Sequence, residues 1–135
     1  MLKFNPKGTG TIAAVMQRNP APIRALMKTL MARIRKLEPK AMRAAYPSWN
    51  IIMFGHAGNA FCYIGATKRG AHLSFINGTM LADRYRLLEG KAKYVRRIEI
   101  PTGKRDIQWA AIDDLVQQAL RLNLRASRLR ALVEE

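Results

Sequence analysis

The sequence predicts an α+β domain: an antiparallel sheet of about four strands, with the long N- and C-terminal helices packed on one face. Three observations predict it. Apolar residues recur at helical spacing from Ile23 to Leu37, and again from Leu115 to Val133. Between them the period changes to short, β-leaning apolar segments separated by glycine-bearing connectors of hairpin length. At 135 residues with 49% hydrophobic content, the chain has enough material for one core and too much for a disordered segment.

Residues 1–21 carry Gly8, Gly10, Pro6 and Pro20 without a clear period. They read as an irregular N-terminal arm with room for a turn of helix at 11–17. The domain proper is read as 22–135. Ile23, Leu26, Met27, Leu30, Met31, Ile34 and Leu37 fall on one helical face. Pro22 suits a first helical position and Pro39 ends the pattern, giving a helix of about 17 residues. Lys40 to Tyr46 leaves room for one more turn.

Asn50–Gly55, Ala60–Ala66 and Ala71–Ile76 read as a three-stranded meander, joined through His56-Ala57-Gly58-Asn59 and Thr67-Lys68-Arg69-Gly70. Met80 to Leu88 is ambiguous; Leu81, Tyr85 and Leu88 at i, i+4, i+7 favour a short helix closed by Gly90. Tyr94–Ile100 is the fourth strand, stopped by Pro101. Asp106 is placed to cap the last helix, whose seam runs Leu115, Ala119, Leu122, Ala126, Leu129, Val133. Residues 123–135 form a helical extension that either lies on the sheet or pairs with a second subunit; packing within the monomer is the preferred reading. The protein is expected as a monomer or weak dimer.

Charge is the strongest compositional signal. Against 9 acids stand 24 Lys+Arg, a formal net charge of +15. An excess of this size implies an anionic partner or a strongly solvated surface. Three basic groups stand out: Arg33, Lys36, Lys40 and Arg43; Arg84, Arg86, Lys91, Lys93, Arg96 and Arg97; and the stripe Arg121, Arg125, Arg128 on the last helix. The last is the candidate nucleic-acid-binding set. No zinc-finger spacing, basic-region zipper or aromatic RNP-like strand accompanies it.

Several chemistries are excluded or weakly supported. Cys62 is the one cysteine, so no disulfide framework or multi-cysteine zinc site exists. His56 and His72 are too few for a histidine-built metal site, and no metal or cofactor is expected. No Walker loop, dinucleotide fingerprint or His-Glu-x-x-His occurs. Ser48 lacks a nucleophile elbow. Cys62 and Ser74 would need an arranged base to act as nucleophiles. Asp113 and Asp114 diverge by about 100° on a helix and cannot form a dyad. Residues 1–22 lack the apolar core of a secretory signal, and no apolar run of about 18 residues exists; a cytoplasmic, non-membrane protein is expected.

Arg96 is the most informative residue. Alternation places Tyr94, Arg96, Ile98 and Ile100 on one strand face, so a guanidinium sits at the margin of the core, where it needs a partner. It is either a snorkelling arginine with its stem on the sheet or one wall of an anion pocket beside the Gly90–Lys93 loop. His72 shares a face with Ser74 and could serve as a pocket donor or base.

A helix ending in proline is followed by Tyr46-Pro47-Ser48-Trp49, a hairpin around Gly58 and Ala71-His72-Leu73-Ser74-Phe75. Then come Leu87-Leu88-Glu89-Gly90-Lys91-Ala92-Lys93, an arginine-bearing strand, and Asp106-Ile107 before a leucine-rich helix. Over roughly residues 22–122, this order and spacing resembles the YdhG-like family of small bacterial domains of unknown function. The resemblance implies a compact α+β domain with an antiparallel sheet; some members are described as frataxin-like intracellular iron chaperones. Iron takes carboxylate, imidazole or thiolate ligands, and here the first long helix carries Glu38 alone against Arg24, Lys28, Arg33, Arg35 and Lys36. The matching residues His72, Gly90, Lys93 and Arg96, with Arg97, make the candidate ligand site. The leading expectation is a non-enzymatic binding protein for an anionic small molecule or acidic partner. Iron chaperoning and nucleic-acid association are the alternatives.

Overall fold

The computed structural model describes residues 2–134. Their order is α1 (Ile12–Gln17), α2 (Ala21–Leu37), β1 (Met42–Tyr46), β2 (Ile51–His56), β3 (Asn59–Ala66), β4 (Gly70–Phe75), β5 (Arg96–Pro101) and α3 (Trp109–Glu134). Short 3-10 turns sit at Pro47–Trp49 and Gly78–Met80. The sheet is a five-stranded antiparallel meander in the order β1-β2-β3-β4-β5.

The class is α+β, with one strand more than the pattern suggested. The extra strand is β1, in the segment read as room for a helical turn. Met-Arg-Ala-Ala-Tyr favours helix on local propensity, but Tyr46 precedes Pro47, which disfavours helical backbone at Tyr46. Two-sided burial decides the rest: Ala44 faces Phe4 and Met53, while Ala45 faces the main core. The predicted helix over 80–88 is also absent. There the Asp83 carboxylate accepts from the backbone N–H groups of Leu87 and Leu88 at 2.9 and 3.0 Å, curling the chain into a turn. Arg86, at φ 53°, breaks the helical path.

The two hairpins follow from their connectors. Ala57 and Gly58 both have positive φ, the geometry a two-residue hairpin needs to match strand twist. The Thr67 hydroxyl accepts from the Gly70 N–H at 3.0 Å, closing the β3–β4 turn.

One sheet face carries the main core. Ile52, Phe54, Cys62, Ile64, Leu73, Phe75, Ile98 and Ile100 meet Ile23, Met27, Leu30 and Ile34 of α2, and Ile112, Leu115, Val116 and Ala119 of α3. Val15 of α1 is fully buried in the same core. Arg33 joins the two long helices: its guanidinium donates twice to Asp113, at 3.0 and 2.7 Å, and lies 4.6 Å from the Trp109 ring centre. Asp106 does not cap α3; it lies before the helix, 3.5 Å from the Lys104 ammonium.

Among the described residues, the other sheet face is covered at its two ends. Phe4 packs there with Ala44, Met53, Ala60 and Ile76, and the N-terminal segment is pinned by bridges Lys3–Asn59 and Gly10–Ala45. At the far edge Glu89 forms a bridge with Arg97, exchanging backbone hydrogen bonds of 2.8 and 2.9 Å. The chain over 89–95 therefore folds back beside β5 and leaves a cleft on this face.

Candidate functional site

Strand alternation and hairpin register build the cleft floor. Tyr63 on β3 opposes Ser74 on β4, which opposes Arg97 on β5; Gly65 opposes His72, which opposes Glu99. These side chains all fall on the face away from the helices. The cleft encloses about 290 Å³ and is lined by Tyr63, Ser74, Arg97 and Arg96, with Glu89, Gly90, Lys91, Ala92 and Val95 from the returning segment.

His72 and Ser74 are buried beneath it, 8% and 1% exposed. His72 Nδ1 and Ser74 Oγ share a hydrogen bond of 2.9 Å, and the imidazole meets Tyr63 edge-on at 5.8 Å between ring centres. The ring fits because β3 has glycine at 65: a Cβ there would lie 2.6 Å from His72 Nε2. Burial first, and then the positive charge of Arg97, push the His72 imidazole down to about 4, with Glu99 opposing both. The ring is therefore neutral at pH 7.

The arginines have different tasks. Arg96 donates through Nη1 to the carbonyls of Ala92 and Val95, at 2.6 and 2.7 Å. It staples the returning segment to the start of β5, the strand it leads into, and those carbonyls leave its positive charge uncancelled. Gly90 permits the path into this loop, since its φ of 136° is one that side chains rarely adopt. Arg97 is half-exposed and pairs with Glu99 at 2.6 Å. Lys93 turns to Tyr94, 5.3 Å from its ring centre, and does not line the cleft.

His72, Gly90, Arg96 and Arg97 are thus brought to one place, and Lys93 is not. Sequence reasoning missed Tyr63; it named Lys91 in a basic group but not in the ligand site, and it set Ser74 on the His72 face without a place in that site. The register of the β3–β4 hairpin, with Thr67–Gly70 as its turn, was the signal that sets Tyr63 beside Ser74. Arg121, Arg125 and Arg128 are exposed on α3, the helix packed on the opposite sheet face, so they form a separate surface.

The remaining candidates have structural partners. Cys62 is fully buried, which raises its thiol well above the usual range. Asp113 is held by Arg33, and Asp114 accepts from Gln118 at 2.8 Å. Glu38 and His56 lie 3.7 Å apart, and no group of three or more His, Cys, Asp or Glu side chains placed to hold a metal ion occurs among the described residues. No helix of the described residues is long and apolar enough to cross a membrane. Comparison with protein-family models, curated proteins and solved structures gives no match to this chain.

Proposed function

We propose that the chain is a cytosolic, YdhG-like, non-enzymatic binding domain, and that the cleft beside β5 holds a small anionic ligand. The observation that supports this reading is the meeting of three cations, Lys91, Arg96 and Arg97, around one cleft floored by Tyr63 and Ser74. A carboxylate or phosphate can accept from an ammonium, a guanidinium fork and a phenol at once. One carboxylate, Glu89, lies in the lining, so the cleft carries a positive excess. Arg97 exchanges Glu99 for the ligand, and the Arg96 staple keeps the loop in place. Ser74 shapes the floor through its bond to His72 and is not read as a nucleophile: it is 1% exposed.

A thermal-shift screen with phosphorylated and carboxylated metabolites tests the reading. A ligand present at about 100 times its Kd stabilises by about 2.7 kcal/mol, several degrees for a domain of this size. The expected result is a rise with at least one such compound that disappears in Lys91→Gln/Arg97→Gln. No rise with any compound, or an equal rise in the double variant, contradicts it.

A further inference from the structure

The C-terminal part of α3 presents a second surface that the cleft does not use. The helix packs on the core as far as Leu120, and Asn123 donates to the carbonyls of His56 and Asn59 at 3.2 and 2.8 Å. Beyond that point Arg130 reaches back to the Asn59 side chain, and the apolar residues lose their cover. Leu129 is 58% exposed and Val133 is 86% exposed. With Leu122 and Ala126 they follow i, i+4, i+7, i+11, one continuous stripe.

A basic stripe runs alongside. Arg121, Arg125 and Arg128 fall at i, i+4, i+7, about 100° around the helix from the apolar one. All three are exposed, and none is in an ion pair among the described residues. Between the stripes and the segment after β4 lies a groove of about 260 Å³, lined by Met80, Leu81, Gln118, Arg121, Leu122 and Arg125. Its far wall is fixed: Gln118 accepts from the Ala82 N–H at 2.7 Å and donates to the Ala82 carbonyl at 3.1 Å.

We propose that this face of α3 docks an acidic amphipathic helix of a partner protein. Its apolar side chains enter the Met80–Leu122 groove and cover Leu129 and Val133, while carboxylates at matching helical spacing meet Arg121, Arg125 and Arg128. Charge complementarity selects this occupant. A second copy of the chain, itself at +15, would set basic stripe against basic stripe. Nucleic acid would use the arginines and leave the exposed leucine and valine wet. A lipid surface is flat, whereas this site is a walled groove with its free arginines on one side.

The test uses the full-length protein and a fluorescein-labelled helical peptide of about 18 residues, with leucines on one face and glutamates beside them. The control peptide has the same composition with the leucines dispersed. Anisotropy is read at about 150 mM salt, where exposed long-range attraction is screened. Saturable binding is expected, weakened about tenfold or more by dispersing the leucines, by Leu129→Gln/Val133→Gln, and by Arg121→Gln/Arg125→Gln. The substituted side chains are solvent-exposed, and circular dichroism confirms that each variant folds. Four outcomes overturn the proposal. They are no peptide binding, equal binding of the dispersed control, tighter binding of a labelled DNA duplex that ignores Leu129→Gln/Val133→Gln, and tighter binding to phosphatidylserine vesicles that both double variants abolish.

Discussion

His72 makes the stability of the cleft floor depend on pH. In the fold its imidazole sits near 4, against an ordinary value of 6.5. Between those values the unfolded chain binds a proton that the folded chain refuses. Stability contributed by the neutral ring is therefore fully present above about pH 6.5 and is lost as pH falls toward 4. Taking both values, acidification to about pH 4.5 costs roughly 2–3 kcal/mol through this residue alone. Protonation also sets a buried cation beside Arg97, so the loss is centred on the cleft floor. Urea unfolding followed by tryptophan fluorescence, from about pH 7.5 to 4.5, measures the effect in the wild type and in His72→Gln. The difference between the two proteins isolates the contribution of the residue at position 72. The wild type should lose about 2–3 kcal/mol more than the variant across that range. Parallel curves would refute the assignment of a buried, neutral imidazole.

Three further outcomes follow from the packing. Gly65→Ala places a Cβ 2.6 Å from His72 Nε2, so the ring must move; a loss of about 1–3 kcal/mol is expected in a thermal melt, together with loss of any cleft ligand. The Arg33–Asp113 pair is about one-third exposed on each side and doubly hydrogen-bonded; a double-mutant cycle with alanine should return a coupling of about 1–2 kcal/mol, and Arg33→Lys should not restore it. Cys62 should stay unreactive toward a thiol reagent in the native protein and react once urea unfolds it; fast native labelling would place it outside the core.

How far the sequence reaches depends on whether local or long-range forces decide an element. The helix α2 is readable because its apolar face, its early proline and the following Pro39 agree. The β2–β4 meander is readable from alternation and two short connectors. The strand β1 is not, because an alanine-rich segment takes its conformation from β2 and from burial on both faces. Residues 81–88 mislead because helical spacing of three apolar residues is outweighed by one carboxylate gathering two backbone donors. The last helix is packed on the core as far as Asn123; beyond it Leu129 and Val133 are exposed, which the continuous apolar seam does not reveal. In the cleft, the shared face of His72 and Ser74 is visible from alternation. The roles of Lys91 and Lys93 are not, since they depend on how Arg96 ties the loop.

Chemical-shift mapping of the isotopically labelled protein, titrated with the strongest ligand of the thermal-shift screen, tests the central claim most directly. If the cleft is the anion site, the amides of Tyr63, Ser74 and residues 89–97 shift together and saturate, while those of 121–130 stay still. Shifts confined to 121–130, or drifting across every basic face without saturation, would contradict it.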